Sequence, residues 1–254
     1  MKIVTWNLRC VWKHADKTNA FIHRAGFIYD KIMTEKPSVI AFQEVTPQSY
    51  EFLKRALLEY EFFGSFRTAD YGQEGVFVAF LKDEFTLLGA DAFWMSPTPY
   101  VAGSKFAEQS DCPRVCVYTR LLCKKTLEVF NLFDVHLDHI SDLAKELGLN
   151  VLFDYIDRRD DAINKEKTII LGDFNASKVS QTIEFANSKT WLIDATRDMS
   201  GTFHDFGRET PRQIDYIFIS KALENRIESV TIWDDERYGI YLSDHYPVVL
   251  QLAE

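Results

Sequence analysis

The chain has 254 residues, 46% of them hydrophobic and 14% aromatic, enough to bury a large core without disulfides or a structural metal. Its 38 acidic residues against 29 basic give a net charge of -9, which repels a long polyanion at a distance and speaks against tight, non-specific duplex binding. No apolar run reaches membrane-spanning length without charges, and the chain starts directly on KIVTWN with no export-signal pattern, so a cytoplasmic protein without membrane association is expected.

In chain order, segments 2–7, 38–43, 74–81, 114–123, 126–137, 167–172, 213–219 and 245–252 are short and rich in Val, Ile and Phe, as strands are. Two further strands are expected over 85–93 and 226–233. Helices are expected over 20–35, 48–59, 141–158 and 179–188, with Thr46 and Ser141 as caps and Pro47 in a permitted first-turn position. In the third helix Leu143, Leu147, Val151 and Tyr155 recur at helical spacing and should face a sheet. Helix-linked strands at both ends and hairpin-like neighbours between them imply an α/β fold with mixed sheets. Two such sheets packed face to face, flanked by helices, would absorb the many aromatic side chains. No linker rich in Pro, Gly or Ser and no internal repeat divides the chain, so a single domain over 1–254 is expected.

The four cysteines, Cys10, Cys112, Cys116 and Cys123, lie in or beside apolar runs without zinc-site spacing, and are expected to be buried, reduced thiols. The other polar groups near strand ends supply oxygen or imidazole: Asn7 in TWNL, Glu44 in AFQEV, His136 and Asp138 in DVHLDH, Asp173 and Asn175 in LGDFN, Asp215 in QIDYIF, and Asp244 and His245 in LSDHYP. Such a set suits a hard cation such as Mg²⁺ and the hydrolysis of a phosphate ester.

Each motif alone has an ordinary explanation, since Asn, Asp and Glu at strand ends commonly close turns or face water. Asp215 is the exception. In the middle of an apolar strand its carboxylate needs a partner, either His245, whose tautomer it would hold, or Arg212 or a backbone amide. Asp244 could bind a metal directly or through water, with His245 addressing the phosphate or the attacking water. Alternation along DVHL puts His136 and Asp138 on one face and aims His139 elsewhere, which favours His136 as a phosphate donor over a zinc site.

Taken in order, Asn7, Gln43-Glu44, HLDH, GDFNA, IDYIF and SDHYPV resemble the endonuclease/exonuclease/phosphatase superfamily of metal-dependent phosphohydrolases, from about residue 2 to residue 252. The resemblance implies a four-layered α/β sandwich with the site at one edge of two packed mixed sheets. It also implies Asn7, Glu44 and Asp244 as metal ligands for Mg²⁺, with Mn²⁺ as a substitute. Asp173 then matches the carboxylate that activates water or serves the leaving group, Asn175 its polar neighbour, Asp215 the partner of His245, and His136 a phosphate contact. GTFH, FWMS and PRVCVY look like a bacterial branch related to the carbon-catabolite-repressor deadenylases, with Arg114 as a candidate phosphate contact. Lys145 stands where that branch leads one to expect an Arg, keeping the charge without the bidentate fork.

The leading expectation is thus a Mg²⁺-dependent phosphodiesterase, acting as a 3′-to-5′ exonuclease on RNA or single strands or on small nucleotide diesters. A phosphomonoesterase for a sugar or nucleotide phosphate is the alternative, and an inactive phospho-ligand binder a third. The expected partner is the phosphate-ester substrate, with no obligate protein partner.

Overall fold

The computed structural model describes residues 1–12, 14–159 and 165–253. The strands are β1 (Lys2–Asn7), β2 (Val39–Val45), β3 (Tyr60–Phe66), β4 (Gly75–Leu81), β5 (Phe85–Trp94), β6 (Val115–Cys123), β7 (Val129–His136), β8 (Thr168–Asp173), β9 (Leu192–Asp194), β10 (Asp215–Ser220), β11 (Ile227–Ile232), β12 (Glu236–Arg237), β13 (Ile240–Tyr241) and β14 (Val248–Leu252). The helices are α1 (Phe21–Glu35), α2 (Pro47–Ala56), α3 (Asp142–Asp157) and α4 (Gln181–Asn187).

Two six-stranded sheets form, in the orders β11-β14-β1-β2-β4-β3 and β5-β6-β7-β8-β10-β9. Each contains one parallel pair, β1 with β2 and β7 with β8, among antiparallel neighbours. Strand alternation builds the layers. Ile3, Val39, Ala41, Ile169, Leu171, Ile217 and Val248 point between the sheets. Val4, Trp6, Ile40 and Phe42 point out beneath α1 and α2, and Phe133, Ile170, Tyr216 and Phe218 beneath α3 and α4. The result is an α/β/β/α sandwich, the four-layered arrangement expected.

The expected caps form: the Thr46 hydroxyl accepts from the Ser49 amide with Pro47 in the first turn, and Ser141 accepts from Ala144. Four details differ from the sequence reading. First, the short strands β9, β12 and β13 and the longer β3 are additional; in β3 the pattern misleads. Glu61, Gly64 and Ser65 break its apolar pattern, and as an edge strand it is only half covered. Second, α2 ends at Ala56 because Leu57 leaves helical geometry and the chain turns into β3. Third, α3 presents Ala144, Gly148, Leu149, Leu152 and Ile156 to its sheet. Leu143 is 52% exposed; of the stripe Leu143, Leu147, Val151 and Tyr155, only Tyr155 is fully buried. Two overlapping apolar stripes run along this helix, and packing selected the one carrying the small residues Ala144 and Gly148, which let it approach the sheet closely. Fourth, all four cysteines are free, but only Cys10 and Cys116 are buried.

A polar tie crosses between the sheets just below their common end. Gln43 Nε2 donates to Asp134 Oδ1 at 2.6 Å and to Thr5 Oγ1 at 3.1 Å. Complete burial drives the Asp134 carboxyl well above its ordinary range. The tie joins β2 beside Glu44 to β7 beside His136.

Candidate active site

Parallel strands deliver their last residues to the edge where antiparallel neighbours begin. Asn7 ends β1, Glu44 lies at the end of β2, His136 ends β7 and Asp173 ends β8. Asp215 opens β10 directly opposite Asp173, so it is the strand's first residue and not a mid-strand one as the sequence pattern suggested. Asp244 and His245 lie in the loop entering β14, where His245 bridges to Phe203.

Glu44, Arg114, His136, Asp173, Asn175, Asp244 and His245 line one cleft of about 420 Å³, together with Arg9, Cys10, Arg67, Glu74, His139, Phe203 and Arg212. Asn7 and Asp215 are bonded to the carboxylate and imidazole in that lining. A larger hollow of about 590 Å³ between β9 and β11 carries none of these residues.

The backbone is strained at the cleft. Arg9, Glu44 and Asn175 have φ of 60°, 55° and 48°, a left-handed geometry uncommon for residues with a side chain. Gly172, at φ 141°, lets β8 approach β7: a Cβ there would stand 1.9 Å from the Val135 carbonyl oxygen. That approach sets the register that pairs His136 with Asp173.

His245 Nδ1 lies 2.8 Å from Asp215 Oδ2, so of the partners open to Asp215 the imidazole is the one bonded, while Arg212 is 3.8 Å from Glu209. Burial alone would depress His245. The carboxylates of Asp215, Asp173 and Asp244 outweigh it and push the imidazole up to about 10. Its Nε2 is 3.9 Å from Asp173 Oδ2, and His136 Nε2 is 3.6 Å from the same oxygen. Asp173 is pushed up to about 7 by burial and by Asp215. Its Oδ1 accepts from the Asn175 amide at 2.8 Å and its Oδ2 from Asn7 Nδ2 at 3.0 Å. Asn175 donates its side-chain amide to the Leu137 carbonyl, which leaves its oxygen on the cleft side. His136 is held well below the usual range by burial, Arg114 and Arg67, and is therefore a neutral imidazole.

Glu44 accepts from the Cys10 amide at 2.9 Å and from Asn7 Nδ2 at 3.3 Å. Burial would raise it, but the Cys10 amide, Arg9 and His245 keep its carboxyl below the ordinary value. Asp244 Oδ2 is 3.2 Å from Arg9 Nη1, and Arg9 also grips Asp16. Burial and Glu44 push Asp244 up.

The remaining sequence candidates fall differently. Asp138 turns away from the cleft and accepts from Ser110 and from the Ile140 and Ser141 amides, anchoring the loop into α3. His139 faces the cleft in its place, because β7 ends at His136 and strand alternation stops there. Lys145 lies outside the cleft lining, on α3, with its ammonium 2.7 Å from Asp142. Arg9, Arg67, Glu74 and His139 were not singled out in the sequence. Glu74 precedes β4, antiparallel to β2, with Gly75 opposite Val45. A strand's first residue reaches this edge as readily as another's last, and attention to antiparallel starts would have found it.

The donor chemistry fits a hard divalent cation. Glu44, with its low carboxyl, forms no ion pair with a lysine or arginine among the described residues, and it lies close enough to Asp244 to raise that carboxyl electrostatically. Asn7 now turns its amide nitrogen to Glu44 and Asp173 while its oxygen accepts from the Arg9 amide; it offers oxygen to a cation with that amide reversed. Asp173, Asp215 and His245 form a second group whose ligand atoms lie within 4.8 Å of one another.

Residues 4–245 match the model of the endonuclease/exonuclease/phosphatase family. Similar solved structures include an endonuclease/exonuclease/phosphatase from Bacteroides vulgatus, 23% identical over 99% of this chain and 98% of that one, TM-score 0.89. A mannosyl-6-phosphatase from Bacteroides thetaiotaomicron is 23% identical over 100% of both chains, TM-score 0.88. The human Nocturnin catalytic domain is 20% identical over 100% of this chain and 93% of that one, TM-score 0.73. A search of curated protein sequences found no significant match.

Proposed function

The chain belongs to the endonuclease/exonuclease/phosphatase family of phosphoric ester hydrolases, and from that membership we propose that it is a Mg²⁺-dependent enzyme hydrolysing phosphodiester bonds in small nucleotide or single-stranded substrates. The observation that carries the reading is the chain Asp215–His245–Asp173–His136, joined by contacts of 2.8, 3.9 and 3.6 Å beside Glu44. A cleft of about 420 Å³ in a protein of charge -9 favours a small ester or a flexible strand end over a duplex.

Glu44, Asn7 and Asp244 would hold the cation, which when bound would shield the phosphate oxygens and the departing oxygen. The rest of the chemistry falls to the chain. His245, cationic at neutral pH and fixed by Asp215, donates Nε2–H to a non-bridging oxygen and becomes more favourable as negative charge grows there. Asp173, poised near neutrality with Oδ1 oriented by the Asn175 backbone amide, takes the proton of the attacking water. Neutral His136 donates a hydrogen bond to the same phosphate without competing for that proton. Asn175 positions the water with its free amide oxygen.

One observation favours a second reading, a phosphomonoesterase on a sugar phosphate: the whole-length likeness to the mannosyl-6-phosphatase is greater than that to the Nocturnin domain, 0.88 against 0.73. Turnover of a nitrophenyl phosphodiester and its monoester, with Mg²⁺, Mn²⁺ or chelator, separates the two. Asp173→Ala and His245→Ala should each lower the rate roughly 10²-fold or more. Equal, metal-independent rates in all three proteins would rule out the mechanism.

A further inference from the structure

Four arginines line the cleft, and three are answered by carboxylates: Arg9 by Asp16 and Asp244, Arg67 by Glu74, and Arg212 by Glu209. Arg114 is different. It is 5% exposed, its Nε has no hydrogen-bond partner, and no carboxylate lies within ion-pair distance of it among the described residues. Among the described residues its polar contact runs from Nη2 to His139 Nδ1 at 3.0 Å. Burial and Arg114 itself hold His139 below the ordinary imidazole range, so that ring accepts the guanidinium N–H and brings no opposing charge. Asp138 feels the Arg114 charge but lies beyond ion-pair distance, so the buried cation is incompletely compensated, and a guanidinium with an unpaired Nε suits an incoming phosphate.

Its position shows which phosphate. At this end of the sheet, Arg114, His136, Asp173 and Asp215 stand at the ends of the adjacent strands β6, β7, β8 and β10. Neighbouring strands lie about 4.8 Å apart, so the Arg114 backbone is two spacings, about 10 Å, from that of Asp173. His136 and His245 both converge on Asp173 Oδ2, whereas the Arg114 guanidinium is drawn to His139. The reacting phosphorus and the unanswered cation therefore occupy different parts of one cleft, separated by His136.

We propose that Arg114 and His139 form a second anion subsite, and that the substrate is a small phosphate ester bearing another phosphate group, a bisphosphorylated nucleotide or sugar. The inference rests on the phosphomonoesterase reading for the first subsite, the second of the two readings given for the function. One phosphate meets Asp173, His136 and His245; the other neutralises Arg114 and is retained in the product.

The test is calorimetric binding in an Asp173→Asn background with Mg²⁺ present, so that affinity is read without turnover. Adenosine 3′,5′-bisphosphate is compared with the 3′- and 5′-monophosphates, fructose 1,6-bisphosphate with its two monophosphates, and a 5′-phosphorylated dinucleotide serves as the strand-like source of a second phosphate. In at least one small-molecule series the bisphosphate should bind on the order of tenfold tighter than either monophosphate, equivalent to about 1.4 kcal/mol. Arg114→Met should erase that advantage while leaving monophosphate affinity nearly unchanged. His139→Ala, at a more exposed position, should reduce it. Arg114→Lys keeps charge without the fork and should retain part of the advantage, which keeps the test open if the methionine variant folds poorly.

Equal weakening of mono- and bisphosphate by Arg114→Met would mean that Arg114 holds the reacting group, and would overturn the proposal. So would the absence of a bisphosphate advantage in both series, or an Arg114-dependent advantage confined to the dinucleotide. If the otherwise unmutated enzyme turned over no ester while the bisphosphate preference persisted, the hydrolase reading would fall and the subsite would stand.

Discussion

Asp215→Asn removes one charge and almost no volume from a buried polar contact of the cleft. Asp215 and His245 are 2% and 4% exposed, with 2.8 Å between Oδ2 and Nδ1. Burial works against the imidazolium, yet Asp215, Asp173 and Asp244 bring its pKa to about 10 from 6.5, worth about 5 kcal/mol in favour of the charged form. Asp215 is the largest of the raising influences, so the variant should carry a neutral imidazole at pH 8, in a tautomer no longer dictated by a carboxylate. Loss of that preorganised cation should lower kcat/KM by about 10²- to 10⁴-fold, with KM changing much less than kcat. The assay is ester hydrolysis under saturating Mg²⁺, paired with NMR titration of the His245 ring in chelator. A raised histidine pKa contributes stability that is fully present below about pH 6.5 and is lost as pH rises through about 10. The variant's stability deficit should therefore be large between pH 6 and 8 and shrink above pH 10. Undiminished activity, or a His245 ring that still titrates as high as in the parent, would refute the reasoning.

Three other outcomes are expected. Asp173 is raised to about 7 by burial and Asp215, so in metal-free protein its ionisation costs stability progressively as pH climbs from about 4 to about 7; a divalent cation offsets that cost, and the Mg²⁺-induced rise in Tm, measured by differential scanning fluorimetry, should be larger at pH 8 than at pH 5.5, a pH-independent rise contradicting it. Gly172→Ala forces a Cβ to within 1.9 Å of the Val135 carbonyl oxygen, and should destabilise by about 3 kcal/mol or more in denaturant melts while separating His136 from Asp173; a wild-type melt and rate would show that β8 has room to shift. Arg24 is fully buried and donates to the carbonyls of Asn19, Leu8 and Leu242, tying the loop after Asn7 to the loop before Asp244; Arg24→Met orphans those carbonyls and should cost about 2–5 kcal/mol, lowering Tm and, through both metal-ligand loops, apparent Mg²⁺ affinity.

Strand-ending motifs and alternating apolar runs made the two mixed sheets, the capped helices and most of the cleft legible in the sequence. A strand that must bury one side chain on each face leaves little freedom in where it ends, and an Asn, Glu, Asp or His at that end is brought to the sheet edge with it. Three-dimensional packing decided what the pattern left degenerate. It chose between two apolar stripes on α3, set the edge strand β3 over a broken pattern, turned His139 rather than Asp138 into the cleft once β7 had ended, and paired Lys145 with Asp142 outside it. It also brought Glu74 and Arg67 to the site from the connection between β3 and β4, and left Arg114 buried with no carboxylate within ion-pair distance among the described residues. Periodicity specifies which face of an element is apolar; the direction of a side chain beyond a strand's last hydrogen bond, and the charge it meets there, depend on elements distant in the chain.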